Sequence, residues 1–397
     1  MSQMTFQNSS RSASTIWQQF REQMPVVRKW AYFDHAAVSP LPQLAFDKIS
    51  TWANEALNDG DAFWTRWSRQ YEELRNLAGQ LINCTPDEIG LVPNTSFGIN
   101  MVAEGFPWQP GDNVVLPAGE FPSNVYPWMH LADRGVSVRT VPLDGYRVCP
   151  NRIAEACDSR TRIVSASWVG YASGYRLDPY ELARVAHDRG ALFFLDAIQG
   201  MGVFPLDVQR GPIDFLAADG HKWMLGPEGA GIFYVKREHL KLLRPINVGW
   251  NSVSQGNDYS RVELNIREAA SRYESGSQNL VGFIGLLGSL QTLHQFGLRS
   301  NESPIGNRVI AVTDDLCIRL NELGLPFYTD RTTDDVKSGI VSFEVPGFDS
   351  LTLKSQLHAA GVVVSCRAGR LRIAAHAYNN DEDLDRLIVA LRKLSGR

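Results

Sequence analysis

The chain has 397 residues, 44% hydrophobic and 21% charged, with 39 Lys and Arg against 43 Asp and Glu for a net charge of −4. That length exceeds the ~250–300 residues one hydrophobic core usually supports, so more than one domain is expected, and the composition is that of a packed protein rather than a disordered one. The near-neutral balance excludes a globally basic nucleic-acid surface, and no run approaches the ~18 apolar residues of a membrane span.

Residues 1–14 are rich in Ser, Gln and Asn and read as a loose start to an N-terminal arm, 1–30, that packs with a smaller C-terminal domain. The arm is expected to be partly disordered. No apolar leader is visible, and Cys84, Cys149, Cys157, Cys317 and Cys366 are widely spaced and form no CxxC pair. A cytoplasmic protein without a bound metal is therefore expected. From about residue 88, short apolar runs alternate with amphipathic stretches. Strands are expected at Asn113–Pro117, Val136–Val141, Arg162–Ser167, Ala191–Asp196, Ile213–Ala217 and Gly231–Val235. The segment Asp178–Arg189 has helical spacing, with Asp178 as N-cap and Gly190 as terminator. Alternating strands and helices argue an α/β protein with a mainly parallel sheet sandwiched by helices, and the unbroken apolar run LFFLDA suits a strand covered on both faces. After about residue 290 the pattern changes. A helix at Arg308–Leu323, a strand at Ile340–Val345, a helix at Ser350–Ala360, a strand pair at Val362–Cys366 and Arg370–Ala374, and a last helix from Asp381 describe a smaller α+β domain over 291–397, leaving 31–290 as the large domain.

Three segments carry chemistry. LFFLDAIQG places Asp196 at a strand end with Gln199 one turn on; DFLAADGHKWMLGPEGAG delivers Asp219, His221 and Lys222 after another strand; and VPNTSFGIN sets Thr95 and Ser96 at a helix start. A buried carboxylate needs a cationic or hydrogen-bonding partner, such as a protonated pyridine nitrogen. A desolvated lysine is a competent amine for a Schiff base, and a helix N-terminus with hydroxyls suits a phosphate. Together these are what pyridoxal 5′-phosphate requires. Only eight of the 39 basic residues are lysine and none lies between Lys48 and Lys222, so Lys222 has few rivals.

The run DAIQGMGVFPLDVQRGPIDFLAADGHKWMLGPEGAGIFYV resembles the signature region of the class V aminotransferases, the pyridoxal-phosphate group that includes cysteine desulfurases, isopenicillin N epimerase-like proteins and kynureninase. YFDHAA, GDNVVLPAGEFPSNVYPW, SWVGYASGYRLD, RYESGS and LRIAAHAYN match family segments in the same order. The resemblance implies a seven-stranded large domain and a homodimer with its active site at the interface. It implies that Lys222 carries the cofactor as a Schiff base and later acts as base, that Asp196 keeps the pyridine nitrogen protonated, and that Gln199 bonds the ring hydroxyl. Phe121 would stack on the ring, Thr95, Ser96 and His221 would bind the phosphate, and Ser277 would reach a partner subunit's phosphate. Arg372 matches the arginine that grips the substrate carboxylate, in competition with Arg367 and Arg370, and His35 and His376 are pocket candidates.

The departures from the family pattern bear on the reaction. Phe121 stands where cysteine desulfurases stack a histidine, the glycine-rich cysteine loop of those enzymes is missing, and Cys366 lies six residues before Arg372. Trp168 stands where many members have His or Asn near the ring hydroxyl. Asp219 replaces the usual phosphate-binding Ser and is expected to turn toward a neighbouring donor. Trp64, Trp67 and Cys366 read as packing residues. The first expectation is an aminotransferase-like activity on a small amino acid. A carbon–sulfur lyase or an epimerase is the alternative, and a persulfide-forming desulfurase or a non-catalytic binding protein comes last.

Overall fold

The structure, a computed structural model, describes residues 16–256 and 258–396. The loose start expected over 1–14 lies outside the described residues. The strands in chain order are β1 Ala31–Tyr32, β2 Ile89–Val92, β3 Asn113–Pro117, β4 Ser137–Val141, β5 Thr161–Ser167, β6 Leu192–Asp196, β7 Phe215–Asp219, β8 Gly231–Val235, β9 Ile340–Phe343, β10 Val362–Val363, β11 Ser365–Arg367 and β12 Arg370–Ala374.

Seven strands form one sheet in the order β2-β8-β7-β6-β5-β3-β4. From β7 through β4 every neighbouring pair is parallel, and β8 runs antiparallel to both β7 and β2. The chain is thus an α/β protein with a mostly parallel, helix-flanked sheet. The apolar run of β6 explains its central place: Phe193 and Leu195 pack into one core with Leu91, Val164 and Leu216, while Phe194 packs into the opposite one with Val114, Ile163 and Phe215. Neither face can be left to water. Leu74, Leu182 and Leu286, from helices Trp64–Ile82, Pro179–Asp188 and Leu280–Gln295, close the first core, and Ile99 and Val102 of helix Thr95–Gly105 close the second. The Asp178 side chain caps helix Pro179–Asp188 by accepting the N–H groups of Tyr180 and Glu181, as its position in the sequence implies.

A separate three-stranded sheet, β11-β12-β9, shares a third core with helices Pro304–Glu322, Ser350–Ala359 and Asp381–Ser395, built on Leu316, Leu320, Leu357, Ile373 and Leu387. The strand expected across Val362–Cys366 is divided. Val362–Val363 pairs in parallel with β1, and only Ser365–Arg367 makes the hairpin with β12. Ala31 and Phe33 enter this third core through that pairing. Nearby, Phe20 stacks on Phe296 at 4.6 Å, and Arg21 donates to the Asp383 carboxylate at 2.7 Å.

Two glycines let elements close on the sheet's carboxyl edge. A Cβ at Gly98 would lie 2.6 Å from the Ala217 Cβ, so helix Thr95–Gly105 reaches β7 only because that position is bare. A Cβ at Gly220 would lie 2.6 Å from the Ala230 carbonyl, which instead accepts the Gly220 N–H at 2.9 Å as the chain turns from β7 toward Lys222.

Candidate active site

The carboxyl ends of β2, β3, β5, β6 and β7 meet the β11–β12 hairpin around a cavity of about 290 Å³. Ligands collect at this edge in open α/β sheets because the strand-to-helix loops converge there. β6 ends at Asp196, which is 2% exposed and accepts the Ile198 N–H at 3.1 Å. Burial pushes its carboxyl up to about 6, against the pull of that bond and of the Lys222 charge. Lys222, 9% exposed, sits two residues past the Gly220 turn, with its Nζ 5.5 Å from the centre of the Phe121 ring. Burial draws its ammonium down to about 8; Asp196 and Asp219 oppose the shift, and Arg372 and Arg367 add to it. A pKa near 8 rather than 10.5 leaves about three-hundredfold more neutral amine at pH 7 than an exposed lysine would have. The Lys222 backbone is held in turn by Ser39, whose hydroxyl donates to the Lys222 carbonyl.

At the opposite wall Asn94 caps helix Thr95–Gly105 by accepting the Phe97 N–H at 2.8 Å. Thr95 lies buried at that helix start, where its hydroxyl accepts the Asp219 N–H at 2.9 Å, and Ser96 hydrogen-bonds the Ser123 hydroxyl at 2.8 Å. Asp219 Oδ2 lies 2.9 Å from His221 Nδ1, so the carboxylate turns toward a neighbouring side chain without making a hydrogen bond to it. The contact is out of line for a hydrogen bond, so His221 Nδ1 remains buried without a hydrogen-bond partner among the described residues, as does the other Asp219 oxygen, Oδ1. Gln199 lines the cavity with its amide fixed at both ends, donating to the Ala36 carbonyl at 3.1 Å and accepting from Trp223 Nε1 at 2.7 Å.

Arg372, 1% exposed, enters from β12. Its Nε donates to Ser365 Oγ at 3.0 Å, its Nη1 to the Tyr171 carbonyl at 2.8 Å, and its Nη2 stands 3.5 Å from Asp34 Oδ1. Burial lowers the guanidinium to about 10 and raises the Asp34 carboxyl. Of its competitors, Arg370 is taken by Glu344 at 2.8 Å and by the Tyr328 ring, whereas Arg367 also lines the cavity. The sequence reading missed Asp34, Ser123, Tyr171 and Ser365. Asp34 sits within YFDHAA, and its acidic side chain in a matched motif was the available signal.

The two histidine candidates are placed differently. His35 is fully buried away from the cavity, its Nδ1 2.7 Å from the Ala374 carbonyl and its Nε2 2.7 Å from the Tyr378 hydroxyl, so neither nitrogen is open to a substrate. His376 is likewise buried outside the lining, with Nε2 3.4 Å from the Trp223 carbonyl. Trp168 turns its ring into the core against Phe204. Ser277, expected to act on a partner subunit's phosphate, lines another hollow of its own chain, beside Arg267 and Glu274. Cys366 is a strand residue of β11 opposite Leu371 and does not line the cavity.

Residues 31–387 match the family model for aminotransferase class V. The chain belongs to the class V aminotransferase family. A probable cysteine desulfurase of Methanothermobacter thermautotrophicus is 32% identical, the match covering 95% of this chain and 97% of that one. An apo structure of a cysteine desulfurase from Thermococcus onnurineus superposes with a TM-score of 0.86 at 25% identity, over 96% of this chain and 98% of the other. A mutant of C-DES with glycine covalently linked to its pyridoxal-phosphate cofactor superposes with a TM-score of 0.87 at 24% identity, covering 94% and 98%. The cofactor of this class V enzyme is pyridoxal 5′-phosphate. The cavity fits it: a buried amine of lowered pKa, a buried carboxyl with a single backbone donor, and a helix start beside an unsatisfied His221 nitrogen stand around one space.

Proposed function

We propose that this class V enzyme removes the α-proton of an L-amino acid and directs the reaction to transamination. The observation that carries the reading is the convergence of Lys222, Asp196 and Arg372 on one cavity. Lys222 would hold the cofactor, Asp196 its pyridine nitrogen, Gln199 its ring hydroxyl, and Thr95, Ser96 and His221 its phosphate, with Phe121 against the ring. Bound there, the cofactor supplies an electron-withdrawing ring that accepts the electron pair left at Cα.

Arg372 grips the substrate carboxylate, and Tyr171, Ser365 and Asp34 fix its guanidinium so that little order is lost on binding. That grip turns the Cα–H bond toward the Lys222 amine. Once the substrate's amine has replaced it on the cofactor, Lys222 would take the Cα proton as the neutral amine that burial favours and, for transamination, would deliver it from the same side to the cofactor carbon bonded to the substrate nitrogen rather than back to Cα. Asp196 remains ionised because a cation sits against it in the loaded site. Phe121 brings no proton to its side of the cavity, which leaves the transfer to Lys222. Ser277 would complete the phosphate site of a second copy in a homodimer.

A carbon–sulfur lyase is the second reading, favoured by the 32% identical relative named as a probable cysteine desulfurase. That no cysteine is among the described residues lining the cavity speaks against sulfur transfer to the protein and for release of sulfide. Incubating the loaded enzyme with a panel of L-amino acids distinguishes the two. Transamination converts the cofactor to its amine form with one equivalent of keto acid; elimination releases ammonia, pyruvate and sulfide and leaves the cofactor unchanged. Sulfur retained on Cys366 would overturn both.

A further inference from the structure

A second hollow, of about 260 Å³, lies beside the candidate active site, between the loops that follow β3 and β5 and the β11–β12 turn. The two spaces share Tyr171 and Arg367. Tyr171 joins them physically: its carbonyl accepts Arg372 Nη1, and its ring stands edge-on to Phe121 with centroids 5.3 Å apart. The remaining wall is mostly apolar, formed by Leu143, Tyr146, Val148, Ala172, Tyr175 and Tyr328. None of these six has a part in the reaction described above.

We infer that this hollow receives the substrate's side chain, and that the substrate is an L-amino acid carrying an aromatic or large apolar group beyond Cβ. The inference rests on the proposed function. With the carboxylate at Arg372 and the amine at Lys222, the remaining substituent on Cα has Tyr171 as its border and the hollow beyond it. A methyl or a thiol would leave the space filled with water. A ring would bury its faces and edges against three further tyrosines and Tyr171, and the flat guanidinium of Arg367 at the junction can stack on it. The sequence alone suggested a small substrate; the hollow is the reason to infer a larger one.

Carboxylates without an amine test the subsite apart from the reaction. Calorimetry on the cofactor-loaded enzyme should show 3-phenylpropanoate binding at least about tenfold tighter than propanoate, the scale on which apolar pockets discriminate. Exchange of the Cα proton in D₂O, followed by NMR, reads the first chemical step whatever its outcome. L-phenylalanine and S-benzyl-L-cysteine should exceed L-alanine at least about tenfold in kcat/KM. Ala172→Phe and Val148→Trp, on different walls, should each abolish both preferences while the alanine and propanoate values hold. Equal binding of the two carboxylates by the wild type, or variants that weaken large and small ligands alike, would overturn the subsite. Preference for 3-phenylpropanoate without Cα exchange of any amino acid would support the subsite and overturn the proposed reaction.

Discussion

Asp196→Asn should stabilise the cofactor-free protein in alkaline but not acid solution. The Asp196 carboxyl has its folded pKa raised from 3.8 to about 6 by burial, even with the Lys222 charge pulling it down. Between these values the folded state binds the proton more tightly than the unfolded state, so stability falls as pH rises through the window. Below about 4 the group is neutral in both states and contributes nothing. Above about 6 its ionisation destabilises the fold by roughly two pKa units, about 3 kcal/mol, and an asparagine of the same shape escapes that cost. For a chain of 397 residues, with an unfolding entropy of about 0.8 kcal/mol per kelvin, the gain amounts to about 4 °C in melting temperature. Melting curves of apo wild type and variant at pH 4.5 and pH 8 read it directly. A variant that melts no higher than wild type at pH 8, or whose advantage is as large at pH 4.5, would show that burial does not hold the Asp196 carboxyl up. Pyridoxal phosphate should reverse the order, because its protonated ring gives the wild-type carboxylate a partner that asparagine cannot match.

Lys222→Ala should abolish Cα exchange while the variant still folds, since its side chain leads into the cavity; circular dichroism and D₂O exchange check both. Arg372→Lys should raise KM for amino acids at least about tenfold with cofactor binding unchanged, because an ammonium cannot replace a guanidinium fixed by Ser365 and Tyr171. Thr95→Val should weaken pyridoxal-phosphate binding about tenfold to a hundredfold, the scale of a lost hydrogen bond to a charged group, in a fluorescence titration. Cys366→Ser should leave turnover within about twofold of wild type, as befits a β11 residue outside the cavity.

The middle of the central sheet was legible because strands such as β6 and β8 are nearly continuous apolar runs, and a run such as LFFLD admits few other environments. β2 was not: four residues, Ile89–Val92, give no periodicity, and they are recognisable as a strand only through pairing with β8, some 140 residues later. The same limit hid the division of Val362–Arg367, since the partner of Val362 is Ala31 and nothing local to Val362 encodes it. In the site, Lys222, Asp196 and Thr95 stood out as candidates because each is a polar residue at a strand end, a strand-to-helix turn or a helix start, whereas Arg372 stood out only through the family resemblance; the structure brings all four to one cavity. His35 shows the converse. It lies in the same matched motif as Asp34, but the chain turns its ring onto the Ala374 carbonyl and the Tyr378 hydroxyl, and a sequence does not say which way a ring faces.

The central claim is that Lys222 is the amine that carries the cofactor. Borohydride reduction of the protein loaded with pyridoxal phosphate, followed by proteolysis and mass spectrometry, tests it most directly. The loaded protein should show a visible absorption band that reduction abolishes and a pyridoxyl group on the peptide containing Lys222, absent from Lys222→Ala. A colourless protein, or the label on another of the eight lysines, would contradict it.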